Sequence, residues 1–265
     1  MLIIGGLISA VLSTAAVAAP GLAPYNAVKP DMASLLVVPS PRHWLGTDDL
    51  GRDQLTRLMF GGRISLAVGG IAMAVALVLG VAVGLVAGYA GRWVDHGAML
   101  LMDVLSAFPT LVLAVVIVGV FGPGIVNATL AIGVVAIPRF ARLVRSQVLV
   151  LREYEYVHAA RAIGAPTARI IWRHLVPGVR GVMIVQATLT VSFAILTEAS
   201  LSFLGLGVQP PTPTWGSMLR FGYPFLQTAP WLALVPGAAI AVAVLGFNLL
   251  GDGLRDALDP RLRRH

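Results

Sequence analysis

Acidic side chains are few in this sequence, and two of them stand inside apolar stretches. Glu198 lies in ILTEASLSF, and Asp103 lies in MLLMDVLSAF. An ionisable group at membrane depth is costly, so it usually faces a water-filled cavity or pairs with another polar group. Glu198 is predicted either to line a pathway, where it would meet the amino group of a substrate, or to form hydrogen bonds with a helix end or with Ser200 and Ser202. For Asp103, pairing between helices is favoured over a position in a pathway.

The other polar residues do not form a recognisable enzymatic motif. Lys29 is the only lysine, and no glycine-rich stretch precedes it, so a Walker A phosphate loop is excluded. The motifs HExxH and GxSxG are absent, and the chain has no cysteine. The acids of GTDDLGRD (46–53) lack the spacing of an EF-hand calcium loop. We therefore expect no catalytic residue, metal or cofactor in this chain; if ATP powers the protein, another chain hydrolyses it.

The composition indicates that these residues are positioned by membrane helices. Hydrophobic residues make up 57% of the 265 and charged residues 12%, whereas soluble domains have about 45–50% and about 25%. A helix needs about 20 apolar residues to cross the hydrocarbon core. Six segments qualify, namely residues 1–19, 64–90, 98–121, 124–143, 178–202 and 231–251. Pro109 and Pro138 interrupt the third and fourth of these segments and suggest gating bends, with ordinary packing kinks as the alternative.

The first segment ends in AVAAP, which resembles a signal-peptide cleavage site. No lysine or arginine precedes Lys29, however, so the basic region of a signal peptide is missing and a retained helix is expected.

In the second segment, Gly80, Gly84 and Gly88 recur at every fourth residue. Such a stripe lets two helix backbones approach closely in lipid. Packing within the chain is favoured, and an interface between subunits is the alternative.

The distribution of arginine predicts the orientation in the membrane. Eight arginines lie between residues 139 and 180 and four follow Gly251, whereas residues 203–230 contain only Arg220. Cytoplasmic loops carry an excess of basic residues. The loop after the fourth segment and both termini are therefore predicted to be cytoplasmic. Residues 20–63 would then lie outside, although they contain five basic residues. The net charge of +7 is thus explained by membrane topology, and no nucleic-acid partner is expected.

The arginine-rich loop contains an unusual cluster of small residues. Residues 152–165 are predicted to form a helix that ends at Gly164. Ala160 and Gly164 are one turn apart and are expected to share a face with Tyr156. A face of this kind buries little area alone, but it can sit deep in a groove of a partner protein, with Arg161 pairing with acidic groups or lipid headgroups. The alternative is a helix lying on the headgroups, which needs a larger apolar face.

The same loop resembles a known motif. HAARAIG, nine further residues and HLVP resemble the EAA loop of ABC importer permeases, whose pattern is Glu-Ala-Ala, three residues, Gly, nine residues and Ile-x-Leu-Pro. The two alanines, Gly164 and Pro177 are kept, whereas His158, His174 and Val176 replace Glu, Ile and Leu. Residues 43–69, 201–219 and 230–264 resemble the C-type permeases of dipeptide, oligopeptide and nickel importers, so the resemblance covers nearly the whole chain after residue 42.

This resemblance implies an all-α membrane protein with the fold of a type I ABC importer transmembrane domain, about six transmembrane helices and a cytoplasmic coupling helix. Residues 1–63 would hold the first helix and an extracytoplasmic segment, 64–251 the core with its coupling loop 152–177, and 252–265 a cytoplasmic tail. The residues expected to couple the loop to an ATPase are Glu155, Tyr156, His158, Ala159, Ala160, Arg161, Gly164 and Pro177.

The resemblance also implies partners. They are a homologous B-type permease, ABC ATPase subunits that hold ATP and Mg²⁺, an extracytoplasmic peptide-binding protein and the lipid of the bacterial plasma membrane. The implied function is import of di- or oligopeptides, with nickel chelates and haem as alternative substrates. A self-sufficient secondary transporter would need its own coupling-ion acids and often has inverted repeats. A protein that merely anchors partners would need neither membrane-depth acids nor helix-breaking prolines.

Overall fold

The computed structural model describes residues 1–258 as a bundle of long helices joined by short connections. The helices are α1 (Leu2–Leu22), α2 (Gln54–Ala90), α3 (Arg92–Ser106), α4 (Thr110–Phe121), α5 (Ile125–Leu151), α6 (Glu155–Ala162), α7 (Thr167–Ile170), α8 (Val176–Phe203), α9 (Trp215–Gly222) and α10 (Trp231–Leu258). A π-helical segment, Ile171–Leu175, joins α7 to α8, and a 3₁₀ turn, Tyr223–Phe225, follows α9.

Within residues 1–258, five helices are long and apolar enough to cross a membrane, and α3 with α4 makes a sixth if the bent pair counts as one span. This agrees with the predicted number of about six. The third predicted segment is not a straight helix, because α3 and α4 meet at 89°. Pro109 immediately precedes α4. It disfavours helical backbone at Phe108 and supplies no N–H, so the helix is interrupted there.

Three helices extend well beyond the boundaries that hydropathy predicts. α2 begins at Gln54 instead of residue 64, because the Asp53 carboxylate caps it by accepting a hydrogen bond from the Thr56 N–H at 2.8 Å. α5 continues to Leu151 instead of residue 143, and Pro138 lies inside it without ending it. Likewise, the first seven residues of the predicted tail 252–265 belong to α10, and residues 259–265 lie outside the described part of the chain.

The glycine stripe of α2 packs against α5 of the same chain. A Cβ atom at Gly80 would lie 2.5 Å from Cβ of Phe140, and one at Gly84 would lie 2.6 Å from the Ala141 carbonyl oxygen. At Gly88 the nearest atom, Cγ1 of Val148, would be 2.7 Å away. Contacts this short leave no room for a side chain. The favoured interpretation, packing within the chain, is therefore confirmed.

Ion pairs join α3 to the C-terminal half of α5. Arg142 pairs with Asp103 at 3.1 Å and also donates to the Ser106 hydroxyl at 2.7 Å. Arg145 pairs with Asp95 near the start of α3. The predicted interhelical pairing of Asp103 is confirmed. These contacts also explain why α5 continues past residue 143, since two of the arginines that interrupt its hydropathy have acidic partners.

The segment between α1 and α2 folds over the predicted outer end of the bundle. The Nδ1 atom of His43 lies 2.9 Å from the Asp53 carboxylate, and both residues are buried. Arg57, in the first turn of α2, donates to the Ala27 carbonyl at 2.8 Å and pairs with Asp48 at 3.3 Å. The acids of the GTDDLGRD stretch are thus used to fasten this segment to α2.

Candidate coupling site

Helix α6 lies between the ends of α5 and α8, and its inner face is anchored in the bundle. Val157 and Ala160, three residues apart, are both buried. They belong to a hydrophobic cluster with residues of α2, α5, α7, the π-helical segment and α8, namely Leu85, Val144, Val148, Ile170, Leu175 and Val179. The expectation that Ala160 shares an outward face with Tyr156 is therefore wrong. Ala160 packs against its own chain, because Val157 and Ala160 together form the apolar stripe that fixes α6 to the bundle.

Gly164 has a conformational role at the end of α6. Its φ angle is +78°, and a Cβ atom there would meet nothing within 4 Å. The Ala165 N–H donates to the Ala160 carbonyl at 3.0 Å, and the Gly164 N–H donates to the Arg161 carbonyl at 2.9 Å. These two bonds form a Schellman motif, which needs a residue in the left-handed region at the position of Gly164. The predicted helix end is confirmed, but within this chain no close contact requires the small side chain.

The outward face of α6 carries a different set of residues. Tyr156, Ala159 and Ile163 follow one another at intervals of three and four residues, so they lie on one side of the helix. All three are exposed, Tyr156 by 44% and Ile163 by 85% of its surface. Trp172 in the π-helical segment is 72% exposed. Ile163 and Trp172 were not among the predicted site residues, although the spacing of Ile163 from Tyr156 places it on the outward face.

Two arginines beside and within α6 contact the end of α2. The Nη1 atom of Arg152 donates to the Gly88 carbonyl at 2.9 Å, and its Nε atom donates to the Glu153 carboxylate at 3.0 Å. The guanidinium group of Arg161 lies 5.0 Å from the ring centroid of Tyr89, a cation–π distance. Arg161 therefore contacts the end of α2 and does not project freely from the loop.

The remaining predicted coupling residues surround α6. Glu155 is exposed in its first turn, where a carboxylate complements the helix dipole. The Nε2 atom of His158 lies 3.7 Å from the Glu153 carboxylate, and both side chains are exposed. The Tyr156 ring lies 5.7 Å from that of His174, which connects α6 to the π-helical segment. Pro177 is in the first turn of α8, directly after the π-helical segment.

The two candidate pathway acids lie in different places and are not joined in one site. Glu198 is 1% exposed and accepts hydrogen bonds from the hydroxyl groups of Ser65, at 2.9 Å, and Ser202, at 2.7 Å. In this structure it does not line an open pathway. Of the two predicted donors, Ser202 is confirmed, whereas Ser200 donates to the Leu196 carbonyl. Ser65 was not predicted, because it lies 133 residues away in the sequence. Asp103 pairs with Arg142, as described above.

Comparison with known proteins identifies the architecture. The model of a family described as the inner membrane component of binding-protein-dependent transport systems matches residues 80–264. The chain belongs to this family. The permease is 47% identical over 261 residues to the dipeptide transport system permease protein DppC of Alkalihalophilus pseudofirmus, an alignment that covers 98% of this chain and 86% of that protein.

Two further relatives support the assignment. The glutathione transport system permease protein GsiD of Pectobacterium atrosepticum is 45% identical over 97% of the permease and 86% of that protein. An inward-facing structure of the MetNI methionine ABC transporter superposes with a TM-score of 0.59, covering 76% of the permease and 96% of that chain, at 20% identity. The chain is thus a multi-pass membrane permease with the fold of an ABC importer transmembrane domain.

Proposed function

We propose that the chain is the C-type permease of an ATP-driven importer of di- and oligopeptides and forms half of the translocation pathway. The observation that carries the proposal is the coupling loop, in which an exposed face of α6 is backed by a buried cluster from four helices of the bundle. A force applied to this face would be transmitted to the spans, because the cluster leaves α6 little freedom to move independently. The names of the similar permeases favour a peptide substrate over nickel chelates or haem.

The proposed orientation places α6 and both termini in the cytoplasm. Arg152, Arg161, Arg169 and Arg173 all lie in the connection between α5 and α8, and an excess of basic residues marks cytoplasmic loops. Arg142 and Arg145 lie in the half of α5 that leads into this loop. The segment between α1 and α2 and the residues around α9 would then lie outside, where a binding protein delivers the substrate.

The proposed partners each supply something that this chain is expected to lack. ABC ATPase subunits would hold ATP and Mg²⁺ and contact the α6 face, since the permease sequence contains no phosphate loop. A homologous B-type permease would supply the other half of the pathway. A peptide-binding protein would deliver the substrate from outside. Closure of the ATPase pair would draw the two coupling helices together and turn the bundle from inward-facing to outward-facing.

The arrangement of the acids does not favour a self-sufficient secondary transporter. Such a protein needs titratable or ion-binding groups that open to a pathway. Glu198 is enclosed and accepts hydrogen bonds from two serines, while Asp103 pairs with Arg142. Neither acid is arranged as an open coupling-ion site.

The proposal is tested by purifying the permease with the subunits encoded beside it and reconstituting the complex in vesicles. We expect uptake of a labelled dipeptide that requires ATP and the binding protein, together with ATP hydrolysis stimulated by the loaded binding protein. An unlabelled dipeptide should compete with the labelled one, whereas nickel chelates and haem should not. Competition by a nickel chelate or haem, with none by peptides, would contradict the proposed substrate class.

A further inference from the structure

Arg139 lies inside a predicted span, although it is one of the eight arginines that indicate the cytoplasmic side. It stands in the predicted segment 124–143 and in α5, 14 residues after the first residue of that helix. At 1.5 Å per residue this corresponds to about 21 Å from the predicted outer end. The hydrocarbon core of a bilayer is about 30 Å thick, so Arg139 lies within it. Arginine at such depth is rare and usually faces the interior of a bundle or a water-filled cavity.

The guanidinium group of Arg139 is held by an aromatic ring and not by an acid. Its Cζ atom lies 3.9 Å from the ring centroid of Phe193 on α8. Among residues 1–258, no carboxylate pairs with it and no acceptor forms a hydrogen bond with it. Arg142 and Arg145, further along α5, both have acidic partners on α3. The Arg139 side chain is exposed in this chain.

Polar residues continue from Arg139 towards the predicted cytoplasmic end. Ser146 lies two turns further along α5, and Gln186 lies two turns before Phe193 on α8. Because α5 and α8 run in opposite directions, both lie at the same depth, about 10 Å beyond the contact between Arg139 and Phe193. Ser146 is exposed and Gln186 is partly exposed. This strip of serine, glutamine, arginine and phenylalanine differs from a lipid-facing surface, which would be apolar.

We infer that this strip lines the translocation pathway and that Arg139 binds the terminal carboxylate of the transported peptide. The inference rests on the proposed function. A guanidinium group presents several N–H donors in a planar fork that matches a carboxylate. Stacking on Phe193 occupies one face of that plane through a cation–π contact and leaves the N–H edge available. An acidic group that completes this site must come from outside the described chain, and a peptide carries one at its terminus.

The first test uses variants of Arg139 in the complete complex with its binding protein. Arg139→Gln removes the charge, and loss of a charge-assisted hydrogen bond weakens binding about tenfold or more. We expect dipeptide uptake to fall by that factor, while assembly of the subunits and basal ATP hydrolysis stay unchanged. Arg139→Lys should retain part of the uptake. Arg180→Gln, an exposed position on α8 nearer the cytoplasm, is the matched control and should transport normally.

The second test is chemical and uses the absence of native cysteine. In the Arg139→Cys complex, a hydrophilic aminoethyl thiosulfonate reagent should attach a positive charge and restore uptake, whereas a sulfonate reagent of similar size should not. Dipeptide presented by the binding protein should slow the modification. Failure of both reagents to reach the cysteine would overturn the inference.

Two other outcomes would also overturn it. If Arg139→Gln no longer assembles with the second permease, the arginine pairs with an acid of that subunit. If Arg139→Gln imports dipeptide as the wild type does, Arg139 does not bind the substrate. These results differ from a failure of the proposed function, in which the wild-type complex would import no peptide at all.

Discussion

Removal of the Ile163 side chain should uncouple the permease without unfolding it. Ile163 is 85% exposed and lies beside Tyr156 and Ala159 on the outward face of α6. Ile163→Ala therefore removes almost no packing within the chain. Burying a large aliphatic side chain contributes about 1.5–3 kcal/mol, and most of this would be lost from contact with a partner. Since 1.4 kcal/mol corresponds to a factor of ten, the affinity for the ATPase subunits should fall by about 10-fold to 100-fold.

The assay is the binding of purified ATPase subunits to the permease pair in nanodiscs, with stimulated ATP hydrolysis measured on the same samples. Thr167→Ala, an exposed position on α7, is the control and should behave as the wild type. Val157→Ala, by contrast, should destabilise the fold itself, because Val157 is fully buried. It should lower the free energy of unfolding of the permease by about 2 kcal/mol. Normal ATPase affinity and normal coupling in Ile163→Ala, at normal abundance, would refute the assignment of this face to docking.

Other predictions concern the packing, the buried acid and the topology. Gly164→Ala and Gly164→Leu should reduce coupling to a similar extent, because both place a Cβ atom at positive φ, and that atom meets nothing within 4 Å; a much larger effect of leucine in the ATPase assay would show that bulk matters instead. Gly84→Leu should prevent accumulation in membranes, measured by immunoblot, because α2 and α5 could not approach. Glu198→Ala should lower the free energy of unfolding by about 1–3 kcal/mol, measured by thermal denaturation, since Ser65 and Ser202 lose their acceptor. In intact cells an impermeant thiol reagent should label Thr212→Cys and not Ala168→Cys; the reverse would overturn the orientation.

The number of spans and the end of α6 follow from local properties of the sequence. Hydropathy locates the long helices, and Gly164 with the Pro166 that follows marks a helix end. The end of α5 was missed, because Arg142 and Arg145 interrupt its hydropathy. Their partners Asp103 and Asp95 lie on a different helix, 39 and 50 residues away. Contacts at such separation are set by tertiary packing and leave no periodic pattern in the sequence.

The direction of each residue in the coupling loop could not be predicted from the motif. The EAA pattern fixes spacing, but it does not say which alanine faces the bundle. The packing of the cluster around Val157 determines this, because Ala160 is buried in that cluster and Ala159 is exposed. The hydrogen bond between Ser202 and Glu198 is predictable, because the two residues are one helical turn apart. The contact of Glu198 with Ser65 on α2 depends on how α2 and α8 pack, so the local sequence does not predict it.

The central claim is that this permease moves substrate only when separate ATPase subunits act on the outward face of α6. The most direct test measures ATP hydrolysis and dipeptide uptake in vesicles containing the permease pair alone, the whole complex, or the complex with Tyr156, Ala159 and Ile163 all changed to Asp. The permease pair alone should neither hydrolyse ATP nor accumulate peptide, the whole complex should do both, and the triple variant should lose stimulated hydrolysis and uptake together. Peptide accumulation by the pair alone, or full uptake by the triple variant, would contradict the claim.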